Sequence, residues 1–223
     1  MGQIVEFMIL KGANQTTIIL LLMVPLVATL VSVARHFIGI KSYGIFTPVL
    51  LSVAYASISE NTKTALVYGL SITFAAIVGS FVLQYILDVN KYKVFRMHYL
   101  PKLGIIMTSV AIGLLFMFLI AASLDKSFVA IDPLPFLLII ILAESFSTKA
   151  FNKGFRTAFG ISIETIILAL IGYFVIIFEP LRRLLLDHPE VILLALPINF
   201  IVGKFVGLRV SELIRFSDIE AND

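Results

Sequence analysis

The chain has 223 residues, of which 60% are hydrophobic and only 14% are charged, and its mean hydropathy is +1.05. Soluble domains are about 45–50% apolar with about 25% charged residues, so this composition excludes a soluble fold and predicts a single membrane domain. The absence of cysteine excludes disulfides, thiolate catalysis and Cys-based zinc sites. The net charge of +3 is spread over short loops and argues against a nucleic-acid partner.

The N-terminal segment, 1–15, precedes the first long apolar run. Its first ten residues carry a single charged side chain, Glu6, and we expect a short interfacial helix there. The first basic residue is Lys11, and no small-residue cleavage site follows an apolar core, so the segment does not have the pattern of a signal peptide. We therefore expect the first apolar run to remain as a membrane helix.

Five apolar runs approach the length of about 20 residues that a helix needs to cross the hydrocarbon core of a bilayer. They are 17–34, 64–87, 103–123, 157–178 and 191–208. Two shorter runs, 44–59 and 134–147, fall between them. We therefore predict an all-α integral membrane protein with about seven transmembrane helices in residues 16–208, followed by a cytoplasmic tail, 209–223.

The Lys and Arg residues predict the orientation, because positive residues are retained on the cytoplasmic side. With seven spans and the N-terminus outside, twelve of the seventeen lie in inner segments. These are Arg35, Lys41, Lys91, Lys93, Arg96, Lys102, Lys149, Lys153, Arg156, Lys204, Arg209 and Arg215. If the two short runs were re-entrant loops, the division would fall to ten against seven, so the charges favour seven spans with the N-terminus outside and the C-terminus inside.

An internal repeat is visible in the order of the spans. Spans one to three and four to six each contain a short second span opened by a proline, Pro48 in one half and Pro135 in the other. Glycines follow at similar distances, Gly69 with Gly160 and Gly79 with Gly172. An odd number of spans per copy predicts two inverted three-helix repeats plus a seventh helix, as in many transporters. The alternative is an old duplication that now serves only packing.

The segment before and within the second span is one candidate binding site. Gly39, Gly44, Thr47 and Pro48 allow the backbone to enter the membrane irregularly, beside Lys41. Amides exposed by such a backbone bind carboxylates or phosphates. The alternative is an ordinary turn followed by a helix with proline in its first turn, where the missing N–H costs nothing.

Polar residues at membrane depth form a second group of candidates. Glu164 lies about seven residues inside the sixth span, where an unpaired carboxylate is costly, so we expect an ion pair with Arg35 or Lys204. Glu144 falls in the same cytoplasmic half, and Asn199 lies beside Pro197 in the seventh span, where its amide can bond backbone groups that the proline frees. These residues belong either to a substrate or proton path or to contacts that only lock helices together.

The C-terminal tail carries Arg209, Glu212 and Arg215 at a spacing of three, which places them on one helix face. That face is either solvated or a dock, and the inner basic residues as a group predict a surface that attracts an anionic product or, alternatively, anionic lipid headgroups. The three histidines are scattered, and no phosphate-binding glycine loop is present. We therefore predict no catalytic residue, no metal site and no cofactor.

Two motifs carry a resemblance to a known family. The first motif resembles the signature of a bacterial family of seven-helix membrane domains usually fused to an inactive transglutaminase-like domain. It consists of Arg35-His36-Phe37-Ile38-Gly39-Ile40-Lys41-Ser42-Tyr43-Gly44-Ile45-Phe46-Thr47-Pro48-Val49-Leu50. The end of the chain is similar to that family's closing motif through His188-Pro189-Glu190, Pro197, Asn199, Gly203-Lys204, Gly207-Leu208-Arg209, Ser211-Glu212 and Arg215-Phe216. The resemblance covers about residues 16–216, without the transglutaminase-like domain.

The resemblance implies a function class. Relatives tend to accompany cytoplasmic ATP-grasp ligases, and a more distant likeness is to the membrane subunit of the poly-gamma-glutamate capsule synthase, which also presents glycine, three residues and proline as in Gly44 to Pro48. The expectation is a non-enzymatic subunit of the bacterial cytoplasmic membrane that exports or anchors the ligase product. A stand-alone secondary transporter of a small anion and an intramembrane transferase remain alternatives. The expected partners are the lipid bilayer and an ATP-grasp ligase, and homo-oligomerisation stays open.

Overall fold

The computed structural model describes residues 7–8, 10–58, 61–89, 99–124 and 133–204. Throughout these ranges the regular structure is helical and contains no strand, which confirms the predicted all-α class. Helix α1, Gln15–Val33, continues into a π-helical turn, Ala34–Ile38. It is followed by α2 Phe46–Ile58, α3 Thr62–Val89, α4 Tyr99–Leu124, α5 Pro133–Lys153, α6 Phe155–Ile177, α7 Glu179–Asp187, a 3-10 helix Pro189–Leu194 and α8 Ala195–Lys204.

Six predicted spans coincide with an α-helix, and the described part of the seventh covers the 3-10 helix and α8. The differences have local reasons. Helix α5 continues to Lys153, past the apolar run that ends at Ser147, because hydropathy marks only the part of a helix that suits lipid. Helix α7 was not predicted, since its nine residues are too few and too charged for a span. Residues 1–6 and 9 of the N-terminal segment and the whole tail, 209–223, lie outside the described residues. Both assignments therefore stay predictions.

Length and composition identify the membrane-crossing candidates among the described helices. Three are long and apolar enough to cross a bilayer: Gln15–Ile38, Thr62–Val82 and Phe155–Ile177. A fourth is possible if α7 and the following segment Pro189–Lys204, which are bent by 104°, count as one span. Phe46–Ile58 and Leu103–Phe116 are shorter apolar helices.

Large apolar side chains cover the outside of these helices. On α3, Val67, Phe74 and Phe81 are 61%, 64% and 43% exposed, and they recur every seven residues, as one face of a helix does. Helix α6 has a similar stripe, Phe159, Ile163, Ile167, Ile171 and Phe174. Contiguous exposed apolar surface of this kind is a liability in water and is expected against lipid tails. The burial pattern therefore agrees with a protein that contacts the lipid bilayer.

The chain divides into two compact units, 1–53 with 164–223 and 54–163. In the second unit α3, α4 and α5 pack against one another around fully buried Ile72, Ile106 and Ile139. In the first unit α1 packs against the π-helical turn, α7, the 3-10 helix and α8. Its core includes Met23, Val27 and Leu168, each of which is fully buried.

The internal repeat is matched in one respect. Pro48 and Pro135 both occupy the third position of their helices, α2 and α5, where proline is tolerated. The paired glycines differ: a Cβ on Gly172 would lie 2.3 Å from Ser52 Oγ, whereas Gly79 faces open space. Gly69 is crowded by Tyr55, whereas Gly160 is open. The inverted repeat therefore stays a prediction.

Candidate functional site

The backbone is interrupted between α1 and α2, as the glycines of the sequence predicted. Gly39 ends the π-helical turn with φ 89°, and Gly44 has φ 72°, both in the left-handed region that favours glycine. The Ser42 hydroxyl donates to the Gly44 carbonyl at 2.7 Å, and the Gly44 N–H donates to the Ser42 carbonyl at 2.9 Å. We call residues 39–45 the glycine turn. It leaves a short stretch of backbone without helical hydrogen bonds.

The second half of the motif forms the start of α2. Thr47 and Pro48 are buried in the first helical turn, where proline removes an N–H that has no partner within the helix. The alternative reading of Pro48 as a helix starter is therefore correct for this residue. The irregular backbone is confined to the glycine turn before it.

Two amides of the glycine turn are bonded by side chains from α6. The Lys41 N–H donates to Glu164 Oε2 in a short hydrogen bond, and the Tyr43 N–H donates to Thr165 Oγ1 at 3.2 Å. A carboxylate and a hydroxyl thus supply the acceptors that the helix interruption leaves missing.

The bonding partner of the Glu164 carboxylate therefore differs from the predicted one. Within the part of the chain that the structure describes, it forms no ion pair with Arg35 or Lys204. Arg35 lies in the π-helical turn, and the Lys204 ammonium group lies 4.3 Å from the centre of the Phe200 ring. The expected ion pair was wrong for these residues because a backbone amide without a helical acceptor competes for the same carboxylate. Of Lys41, only the main chain takes part.

A close contact between α2 and α6 lies one to two turns further along α6. The Ser52 hydroxyl is 2.8 Å from the Pro48 carbonyl and 2.9 Å from the Ala169 carbonyl of α6. A Cβ at Gly172 would lie 2.3 Å from Ser52 Oγ and 2.7 Å from Val27 Cγ1, so only glycine allows this approach. Small residues at helix crossings are typical of membrane proteins. This contact holds α6 where Glu164 and Thr165 reach the glycine turn.

Asn199 joins α8 to α1 in the first unit. Its amide nitrogen donates to Thr29 Oγ1 at 2.6 Å and to the Ala195 carbonyl at 2.8 Å. The Thr29 hydroxyl in turn donates to the Pro25 carbonyl at 2.8 Å. Pro197 has no N–H, and the Leu193 carbonyl accepts from the Ala195 N–H, so the Asn199 amide does not bond that carbonyl. The network instead links the two helices.

Four further sequence candidates lie in the second unit or outside the described residues. Glu144 lies half-buried on α5, in the second unit. Arg209, Glu212 and Arg215 lie outside the described residues. Sequence reasoning missed Thr165 and Thr29, since hydroxyl residues are common in apolar helices. The available signal was that Thr165 directly follows Glu164 and that Thr29 lies four residues after Pro25.

The glycine turn has the chemistry of a carboxylate-binding site. Backbone N–H groups that converge without helical partners form strong hydrogen bonds to carboxylate oxygens. Here the acceptors come from the chain itself, and Glu164 offers the group that a carboxylate ligand would offer. Glu164 is only half-buried and Lys41 is exposed, so a ligand can reach these atoms.

A sequence profile for the family described as "7 transmembrane helices usually fused to an inactive transglutaminase" matches residues 3–220. The match covers both motifs and every described helix. No curated protein and no solved structure shows a significant match to the chain.

Proposed function

Because the chain belongs to the family of seven-helix membrane domains usually fused to an inactive transglutaminase, we propose that it is a non-enzymatic membrane subunit for an amide ligase. In this proposal a cytoplasmic ATP-grasp ligase makes a carboxylate-bearing product, and this chain exports or anchors it. The likeness to the membrane subunit of a poly-gamma-glutamate synthase, carried by Gly44 and Pro48, supports the choice of substrate class.

The observation that carries the proposal is the hydrogen bond between the Lys41 amide and the Glu164 carboxylate. A glutamate side chain on this amide supports the proposal that a glutamate-like carboxylate is the ligand of the glycine turn. Helices broken at membrane depth form the substrate sites of many transporters, since unwound backbone offers polar groups to a ligand. We propose that a carboxylate of the product replaces Glu164 on the turn.

The proposed orientation places the glycine turn on the cytoplasmic side, where a ligase would deliver its product. We propose seven spans, the N-terminus outside, and two inverted repeats. The chain has no cysteine, so single introduced cysteines report sidedness cleanly. Seven spans predict that Lys63→Cys and Lys153→Cys are labelled from opposite sides, and labelling from the same side would contradict them.

Binding to the purified chain tests the carboxylate site. Glu164→Ala removes the internal competitor, so a γ-linked glutamate oligomer is expected to bind several-fold more tightly than to the unmodified chain. Asp187→Ala, which removes an exposed carboxylate at the end of α7, is the matched control and is expected to leave affinity unchanged. If neither the unmodified chain nor Glu164→Ala binds the oligomer, the proposed substrate class is wrong.

Copurification and transport separate the proposal from its main alternative. A tagged chain from native membranes is expected to retain an ATP-grasp ligase, which mass spectrometry identifies. A stand-alone transporter instead predicts uptake of a small carboxylate by liposomes that contain only this chain. Uptake without any retained ligase would replace the subunit proposal with the transporter.

A further inference from the structure

A polar cavity lies between the first turns of α1 and one face of α7. Its volume is about 260 Å³, and it is lined by Gln15, Thr16, Ile19, Glu179, Arg182, Arg183 and Leu186. The residues from α7 recur at spacings of three and four, so they share one face of that helix. Pockets that enclose drug-sized ligands measure about 300–1,000 Å³, so this cavity suits a smaller group.

The charges in the cavity leave one positive charge uncompensated. Arg182 Nη1 lies 3.1 Å from Glu179 Oε1, and Arg183 Nε lies 3.9 Å from Glu179 Oε2. Two guanidinium groups therefore share a single carboxylate. The Arg183 side chain is 80% exposed and the Arg182 side chain 30% exposed, so both are open to a ligand from outside. A group with a single negative charge complements this set.

The direction of α7 supports a position of the cavity at a membrane surface. Helix α7 is bent by 104° from the apolar segment Pro189–Lys204 that follows it. If that segment crosses the bilayer, α7 lies close to the membrane plane. Leu185, which is fully buried, then faces the protein, while the arginines lie at headgroup level.

We propose that this cavity binds the phosphate group of an anionic lipid headgroup. A phosphodiester carries one negative charge and offers two oxygens to the planar donors of arginine, which form bidentate hydrogen bonds to phosphate. Ile19 and Leu186 supply an apolar wall next to the glycerol of such a lipid. The same chemistry recognises free inorganic phosphate, which is the second source to be distinguished. The proposal is independent of the carboxylate site on the glycine turn.

Lipid retention by the purified full chain tests the proposal. In native mass spectrometry, phosphatidylglycerol is expected to remain bound at least about tenfold more than zwitterionic phosphatidylcholine, because only the former leaves a net negative charge for the arginines. The double variant Arg182→Gln with Arg183→Gln is expected to lose this preference. Lys63→Gln removes an exposed positive charge that does not line the cavity and is expected to keep it.

Two further measurements fix the interpretation. Arg183→Gln alone changes a largely exposed side chain, so it is expected to fold normally and to reduce the preference several-fold even if the double variant does not fold. Titration with inorganic phosphate distinguishes the source: arginine-dependent phosphate binding without a lipid preference assigns the cavity to free phosphate. If the variants retain phosphatidylglycerol as the unmodified chain does, or if neither probe depends on the arginines, the proposal is overturned.

Discussion

Two connections between helices contain a glycine with a left-handed backbone, and different kinds of hydrogen bond stabilise them. At Gly154, between α5 and α6, φ is 83°. The Gly154 N–H donates to the Ala150 carbonyl at 3.0 Å, and its own carbonyl accepts from the Ala158 N–H at 3.1 Å. In the glycine turn the Lys41 and Tyr43 amides depend on Glu164 and Thr165, more than 120 residues away.

The difference separates a local connection from one that needs tertiary structure. Both of these Gly154 bonds join residues four positions apart, so they depend on the neighbouring sequence. In the glycine turn, two amides donate to side chains of α6, so these bonds depend on the placement of α6. A turn of this kind can change its partners when a ligand competes, whereas a locally bonded turn cannot.

The largest expected effect comes from the contact that places α6. Gly172→Ala puts a methyl group 2.3 Å from Ser52 Oγ and 2.7 Å from Val27 Cγ1, so overpacking is expected to cost about 1–3 kcal/mol. The same change at Gly160 on α6 meets open space and is expected to stabilise the helix by up to about 1 kcal/mol. Unfolding in detergent compares the two variants. Equal stability of both would mean that α6 does not approach α2 this closely.

Removing the carboxylate is the next largest change. Glu164→Ala leaves the Lys41 amide without its charged acceptor, which is expected to cost about 1.5–3 kcal/mol, reduced because Lys41 is exposed to solvent. Glu164→Gln keeps a neutral acceptor and is expected to lose less. Hydrogen exchange by mass spectrometry is expected to accelerate in peptides that cover 39–45 and to stay constant around Gly154. Faster exchange in both regions would show a general loosening instead.

The glycines themselves test how far the two connections are alike. Gly44→Ala and Gly154→Ala both meet open space, so each is expected to cost only the strain of a left-handed backbone, about 1–2 kcal/mol. Asparagine tolerates this backbone better, so Gly44→Asn and Gly154→Asn are expected to be milder. Thermal unfolding midpoints measure all four. If Gly44→Asn destabilised the protein more than Gly44→Ala, backbone strain would not be the cause.

The smallest effect is expected at the contact between α8 and α1. A double-mutant cycle with Asn199→Ala and Thr29→Val isolates the 2.6 Å hydrogen bond between them. Such bonds between membrane helices contribute about 0.6 kcal/mol on average and rarely more than about 1.7. The coupling is measured from unfolding in denaturing detergent. A coupling of zero would place Asn199 outside the first unit's stabilising contacts.

Much of the site could be read from the sequence because its signals are local. Gly39, Gly44 and Pro48 were recognised since left-handed backbone and proline at a helix start depend on residue type alone. Glu164 was recognised because a carboxylate inside an apolar run must find a partner. Thr165 was not, since a hydroxyl in such a run usually bonds its own helix, as Ser162 does to the Ala158 carbonyl.

The sequence alone determined the membrane class, the positions of the apolar helices and the break after Ile38, because hydropathy, helix length and glycine chemistry act over a few residues. Only the tertiary structure decided which group meets the Lys41 amide. An ion pair with Arg35 or Lys204 was as reasonable from charge alone, yet the close approach of α6 at Gly172 brings Glu164 to a backbone N–H. The same holds for α7. In the sequence its arginines contributed only to the count of basic residues, and the structure places them beside the first turns of α1. Contacts between residues far apart in the chain depend on how the helices pack, and no single segment of the sequence specifies that packing.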